Sequence, residues 1–152
     1  MVHGGAQINT LMCCLEQARR GHRVTLATGL ETGPEGSLLQ RARCPSIRLV
    51  EIPSLVRQID PCRDLSAFLT LYRLIGEGYD VVHSHTAKAG ILTRWAAWAR
   101  RAPVLVHTPH GHTFHSYFHP LATRLFVLLE RVTAHLESCQ IMLSAGDLAD
   151  HV

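Results

Sequence analysis

Histidine is concentrated in two short polar segments of this 152-residue chain. Residues 83–90 read His-Ser-His-Thr-Ala-Lys-Ala-Gly, and residues 107–115 read His-Thr-Pro-His-Gly-His-Thr-Phe-His. With His119, they hold seven of the eleven histidines. A neutral imidazole offers one hydrogen-bond donor and one acceptor, which suits sugar hydroxyls and backbone carbonyls alike. The clustering therefore indicates a binding or catalytic site.

Each polar segment begins where a predicted strand ends. The apolar residues Val81 and Val82 precede the first segment, and residues 104–106 precede the second. Open α/β sheets bind ligands at the carboxyl ends of their strands. We therefore expect the two segments to meet at one edge of a sheet and to form a ligand site there.

Three further side chains, two in these turns and one in a separate loop, are candidates for ligand contact. Pro109 fixes the turn before His110 and Gly111 removes bulk beside it, so the His110 ring is expected to project into a cleft. Lys88 follows a turn at a helix start, where the helix dipole disfavours a cation unless an anion is bound. Arg57 lies in a loop between two prolines and could reach an acidic acceptor. Solvent-exposed cations remain the alternative for Lys88 and Arg57.

A glycine pair at the start of the chain predicts an anion site. Gly4 and Gly5 directly precede a helical apolar pattern. Free backbone N–H groups and the dipole at a helix N-terminus favour a phosphate, and glycine lets the backbone approach it closely. A plain tight turn is the alternative.

The same histidines could be considered as zinc ligands. His83 and His85 share a face of their strand, and His107 could lie beside them on the next strand. However, no carboxylate or cysteine stands nearby at ligand spacing, and the sequence has no H-E-x-x-H motif. We therefore expect no metal.

Helical and strand patterns alternate along the chain. Short apolar strands of this kind are typical of a parallel sheet buried on both faces, which predicts an α/β, Rossmann-like domain with helices on both faces. The predicted strands cover residues 24–28, 47–52, 81–83, 104–107 and 141–144. The predicted helices comprise one that ends at Gly21, then 38–43, 64–75 with Asp64 as N-cap, 89–100, about 120–137, and one starting near Asp147.

No strand pattern precedes the glycine pair, although such a pair normally follows one. We infer that the first strand is missing and that the chain is truncated or internally initiated. The apolar fraction is 47%, the charged fraction 18% and the net charge +3. No apolar run approaches the roughly 18 residues of a membrane span, and no signal peptide is evident. These features predict one cytoplasmic domain.

In sequence order, several motifs resemble the N-terminal domain of family 4 glycosyltransferases. The similarity covers nearly the whole chain and is closest to bacterial members that build surface polysaccharides. The motifs are residues 4–7, 21–26, 34–38, 55–61, 80–90 and 107–111.

This resemblance implies the acceptor-side half of a GT-B fold, whose C-terminal nucleotide-sugar domain is absent from residues 1–152. The implied activity is retaining transfer of a sugar from a nucleotide-sugar donor to a lipid-linked or saccharide acceptor. No metal, other cofactor or nucleic-acid partner is expected, and a peripheral contact at the inner face of the membrane is left open. We expect the chain alone to be inactive.

The resemblance also implies roles for individual residues. The catalytic candidate is His110, which would touch the donor sugar near the reacting centre, whereas the glycine pair would approach the donor diphosphate. The candidates for acceptor or substrate binding are His85, Thr86, Lys88, Gly111 and Arg57.

Two other functions stay open at this point. A nucleotide-sugar 2-epimerase has the same two-domain architecture, but it would need carboxylates in the cleft for proton abstraction. A non-catalytic carbohydrate- or partner-binding remnant is the third possibility.

Overall fold

The computed structural model describes residues 5–30, 45–110 and 128–143. It divides into two compact units, Met1–Ala67 and Phe68–Val152, which are taken in turn. The predicted short helix at 38–43 and the helix predicted from Asp147 lie outside the described residues.

The first unit contains helix α1 (Gly5–Arg19) and strands β1 (Val24–Gly29) and β2 (Ile47–Ile52). The two strands are parallel and pair from Val24 opposite Ile47 onwards. Leu11 and Cys14 form the buried side of α1, which packs on both strands. Gly21 follows the helix with a φ of 88°, a conformation that favours glycine, so the predicted helix end is confirmed.

Helix α2 (Pro61–Ile75) begins earlier than the sequence predicted. The cap is Asp60, whose carboxylate accepts hydrogen bonds from the N–H groups of Cys62 and Arg63. Asp64, the predicted cap, lies within the helix and accepts a bond from the N–H of Asp60. Pro61 explains the shift, because proline at the first helical position has a suitable φ and no N–H to satisfy.

The apolar pattern of α2 predicts a buried stripe formed by Leu65, Phe68, Leu69, Tyr72 and Ile75, and the buried face of the helix differs from it. Leu65 and Leu69 are exposed, whereas Ala67, Leu71 and Ile75 are buried at intervals of four residues. The sequence offered apolar residues on two sides of this helix, and periodicity alone did not choose between them. Gly76 and Gly78 follow its end, as predicted.

The second unit contains the rest of α2 and a three-stranded parallel sheet in the order β3-β4-β5. Strand β3 pairs with β4 from Val81 opposite Val104 to His85 opposite Thr108. The elements are β3 (Val81–His85), α3 (Ala87–Ala99), β4 (Val104–Thr108), α4 (128–134) and β5 (Cys139–Gln140).

Several boundaries in this unit depart from the predictions. Strand β3 runs two residues further than expected, to His85, and α3 begins two residues earlier, at Ala87. Strand β5 lies at Cys139–Gln140, ahead of the predicted 141–144, because Ser138 and Ile141 donate backbone bonds to the carbonyls of Leu105 and His107. Helix α4 ends at 134 rather than near 137, and its predicted first residues lie outside the described ranges.

An ion-pair cluster occupies the buried side of α3. Arg94 has no exposed surface and pairs with Glu130 and Glu137, with 3.1 Å between Nη1 and the Glu137 carboxylate. Its Nε donates to the carbonyl of Gly90. The apolar pattern of α3 predicts Trp98 on the inner side of the helix, but Trp98 is 57% exposed, whereas Arg94 is buried.

These strands and helices confirm the α/β, Rossmann-like class. In the described residues, β1 pairs only with β2, and β3 pairs only with β4. The inferred loss of the first strand predicts an unpaired sheet position beside β1 or β3. The truncation of the chain itself stays a prediction. None of the described helices is long and apolar enough to cross a membrane.

Candidate active site

Two histidine rings lie against each other at the carboxyl end of β3. His83 and His85 lie two residues apart and therefore on one face of the strand, and their ring centroids are 4.1 Å apart with the planes tilted by 33°. Nε2 of His83 lies 2.8 Å from Oγ1 of Thr108, at the end of β4. This hydrogen bond connects the pair of rings to the neighbouring strand.

His110 completes this group from the turn after β4. Its Nε2 lies 2.9 Å from Nδ1 of His85, and the two ring centroids are 5.1 Å apart. His83, His85 and His110 are called the histidine cluster below. The structure therefore brings together the two polar segments that the sequence singled out, at the strand ends where a ligand site was expected.

The backbone is strained at both strand ends. Thr86 has φ 61° and ψ 163°, a region that is essentially restricted to glycine, and His110 has φ 54°. The N–H of Thr86 donates to the carbonyl of Thr108 over 3.2 Å and links the two ends. Strain of this kind occurs preferentially at functional sites, which supports placing the site here.

Two imidazoles of the cluster, those of His83 and His85, are held neutral. Burial, and then the rings of His83 and His110, lower the pKa of His85 to about 3. Burial and the nearby His110 also lower the pKa of His83. At pH 7 both rings are uncharged, so each offers a donor and an acceptor instead of a positive charge.

The same two strands carry a second pair of polar residues, Ser84 on β3 and His107 on β4. His107 is only 1% exposed, and its Nδ1 lies 2.9 Å from the hydroxyl of Ser84, its partner in the strand register. Burial, and next the Arg94 guanidinium, lower the pKa of His107 to about 3. A Cβ placed on Gly90 would overlap this ring, 3.0 Å from Nδ1. A glycine at position 90 thus lets α3 lie close to β4.

Sequence reasoning did not single out Thr108, Ser84, Gly90 or Arg94, although all four belong to this arrangement. Strand alternation could have indicated Ser84, because His83 and His85 on one face place it on the other. No comparable signal distinguished Arg94 from the exposed arginines of the chain.

The predicted site residues fall in both units. His85, Thr86, Lys88 and His110 belong to the second unit, and Lys88 is the second residue of α3. The first turn of α3 contains no acidic residue. Gly4 and Gly111 lie outside the described residues.

The remaining two predicted residues belong to the first unit. Gly5 is the first residue of α1, is exposed, and has no atom within 4 Å of the position a Cβ would take. Arg57 is exposed in a bend that follows β2. Both positions are accessible to a ligand.

No group of three or more histidine, cysteine, aspartate or glutamate side chains is suitably placed to hold a metal ion within residues 5–30, 45–110 and 128–143. In the histidine cluster, three ring nitrogens are taken up by hydrogen bonds within the group and to Thr108. The arrangement is therefore suited to binding hydroxyl groups and to holding a proton at a defined nitrogen.

Comparison with known proteins agrees with this geometry. Residues 4–150 match the profile of the glycosyl transferase 4-like domain, and the chain belongs to this family. Over 87 residues it is 40% identical to an Escherichia coli protein named UDP-Gal:alpha-D-GlcNAc-diphosphoundecaprenol alpha-1,3-galactosyltransferase. The matched segment covers 57% of this chain and 21% of that relative.

Proposed function

We propose that this chain is the acceptor-side domain of a retaining glycosyltransferase, which moves a sugar from a nucleotide-sugar donor to a lipid-linked acceptor. The observation that carries the proposal is the histidine cluster at the ends of β3 and β4, in which the rings of His83 and His85 are neutral. Neutral imidazoles can hydrogen-bond sugar hydroxyls without attracting bulk anions. The family and the named activity of the relative support the same class of reaction.

In this mechanism, His110 contacts the donor sugar beside the reacting centre and stabilises it as positive charge develops on the ring. His85, Thr86 and Lys88 line the acceptor side, with Arg57 and Gly111 as further substrate contacts. Gly4 and Gly5 allow the N-terminus of α1 to approach the donor diphosphate, where its N–H groups and dipole favour negative charge. Preorganised donors of this kind lower the barrier because they need not reorient during the reaction.

The substrates of the relative provide the first pair to test. UDP-galactose and a diphospholipid carrying GlcNAc should be incubated with the full-length protein (this chain together with the nucleotide-sugar domain that the proposed reaction requires), and the lipid product analysed by mass spectrometry. Addition of one hexose, with the α-configuration retained, supports the proposal. Release of a 2-epimerised nucleotide-sugar would favour the epimerase, and binding of sugar without turnover would favour a non-catalytic module.

A matched pair of variants ties the activity to the cluster. His110→Ala removes the proposed sugar contact. His135→Ala removes an exposed histidine that follows α4 in the same unit. Transfer should be lost in the first variant and kept in the second. Equal transfer by both would separate the activity from the histidine cluster.

A further inference from the structure

The bond between His85 and His110 joins two atoms that can each either donate or accept. It runs from Nδ1 of His85 to Nε2 of His110, over 2.9 Å. One proton must lie in this bond, and a neutral imidazole carries one N–H in total. When both rings are neutral, the protonation of one therefore determines that of the other.

Only two arrangements satisfy these conditions. If His85 donates from Nδ1, then Nε2 of His110 is bare and its proton sits on Nδ1. If His110 donates from Nε2, then Nδ1 of His85 is bare and its proton sits on Nε2. In both cases the two rings adopt the same tautomer, and their outer nitrogens are always one donor and one acceptor.

His85 is the more firmly held of the two rings. It lies on β3, with its backbone paired opposite Thr108, and its ring lies against that of His83, which is itself bonded to Thr108. His110 lies beyond the end of β4, on a turn with a left-handed backbone. The strand-borne ring can therefore impose an orientation on the ring that the turn carries.

We propose that His85 is a positioning residue, which sets the tautomer and the ring orientation of His110 through the Nδ1–Nε2 hydrogen bond. This inference rests on the proposed function, in which His110 is the residue that contacts the donor sugar. It adds to the acceptor-side position of His85 an action on the donor sugar through His110.

The bond itself is tested by NMR on the full-length protein labelled with ¹⁵N-histidine, at pH 7.5 (about one unit above the ordinary imidazole pKa). Long-range ¹H–¹⁵N spectra identify the tautomer of each ring, and His85→Asn and His110→Asn assign the signals. We expect both rings to be neutral, to share one tautomer, and to show an N–N coupling across the bond. Opposite tautomers, or a missing coupling between them, would overturn the proposal.

The functional consequence is tested with three substitutions at one position. Asparagine places a polar atom near the position of Nδ1, glutamine places one near Nε2, and alanine removes both. We expect kcat to fall at least about tenfold in His85→Ala and His85→Gln, with KM for the donor within about twofold, and to recover in His85→Asn. If His85 merely packs against its neighbours, the three substitutions will change the melting temperature, and their kcat values will not follow this order.

The two arms also separate this inference from the proposed function. If the wild-type protein transfers no sugar, the proposed function fails, and the NMR arm still decides whether His85 sets the tautomer of His110. If His85→Ala does not fold, the asparagine and glutamine variants carry the kinetic comparison. Equal kcat in these two folded variants would refute a positioning role.

Discussion

The strained backbone at Thr86 is a residue-level sign of function. A φ of 61° with ψ of 163° costs a β-branched residue on the order of 1–3 kcal/mol, because its Cβ crowds the backbone. The Thr86 side chain makes no capping hydrogen bond to α3, so capping does not compensate this strain. Threonine at this position is better explained by a role toward a ligand than by stability.

Thr86→Gly should therefore raise the free energy of unfolding, by about 1 kcal/mol after the entropy cost of glycine is included. Urea denaturation of the wild-type and variant proteins measures this difference. The same variant should transfer sugar more slowly, because the side chain on the acceptor side is lost. A clear loss of stability would mean that the Thr86 side chain makes native contacts worth more than its strain.

Residue chemistry and spacing located the histidine cluster from the sequence, because strand alternation placed His83 and His85 on one face and parallel strand ends brought His110 near them. The contact between the rings of His83 and His85, the hydrogen bond between His85 and His110, and the strain at Thr86 could not be predicted. They depend on strand register and on dihedral angles that a residue pattern does not specify.

At the level of elements, α3 is held against the sheet by one close approach and one buried charge. Gly90 admits the ring of His107, and Arg94 connects α3 to Glu130 on α4 and to Glu137 in the segment before β5. Burial raises the pKa of Glu137, and the Arg94 guanidinium opposes that rise. The His107 ring that Gly90 contacts belongs to β4, whose last residue, Thr108, is bonded to His83 of the histidine cluster.

Gly90→Ala should destabilise the protein by about 1–3 kcal/mol, because the added methyl group meets a buried and hydrogen-bonded ring. Thermal unfolding followed by circular dichroism measures the loss. Gly5→Ala is the matched control, since the space at that Cβ position is open and its stability should stay within about 0.5 kcal/mol. Equal stability of the two variants would contradict the close packing of α3 on β4.

The open space at Gly5 also gives a test of the proposed anion site. Gly5→Val should weaken binding of the donor nucleotide in the full-length protein, because a side chain there occupies the space proposed for the diphosphate. Little stability should be lost. Isothermal titration calorimetry compares the dissociation constants. An unchanged affinity would mean that the glycine pair forms only a tight turn.

Arg94→Met should cost about 3–5 kcal/mol, since it leaves two carboxylates without their cation in a buried setting. Arg73→Met, at an exposed position of α2, should change the free energy of unfolding by no more than about 0.5 kcal/mol. Chemical denaturation of both variants distinguishes the buried arginine from the exposed one. A small effect at Arg94 would indicate that the carboxylates gain water or protons when the guanidinium is removed.

Element boundaries show what local patterns can and cannot determine. The ends of α1 and α2 followed from glycines, and β1 and β2 followed from apolar runs between turn residues. The start of α2 was misassigned because Pro61 and Asp60 outweighed Asp64. The inward faces of α2 and α3 were misjudged because burial is decided by packing, and a buried arginine satisfied by two glutamates resembles a solvated one in sequence.

For the molecule as a whole, the neutral buried histidines link stability to pH. In the unfolded chain an imidazole titrates near its ordinary pKa of about 6.5, whereas in the folded protein His85 and His107 do so near 3. Between these values the unfolded state binds protons that the folded state does not. The free energy of unfolding is therefore highest above about pH 6.5 and decreases as the pH falls toward 3.

The free energy of unfolding should consequently decrease from pH 7 to pH 4.5, by up to about 1.4 kcal/mol per pH unit for each such histidine. Urea denaturation at several pH values measures the slope. His85→Asn removes one of these groups and should make the curve shallower. A wild-type stability that stays flat over this range would show that the buried rings accept protons in the folded state.

The location of the active site is tested most directly by the turnover of His110→Ala in the full-length protein, assayed with UDP-galactose and a GlcNAc-diphospholipid. If His110 contacts the sugar in the transition state, kcat should fall by about 10² or more, while the melting temperature stays near that of wild type. His135→Ala should keep wild-type turnover. A His110→Ala enzyme within about twofold of wild type would contradict the assignment of the active site to the ends of β3 and β4.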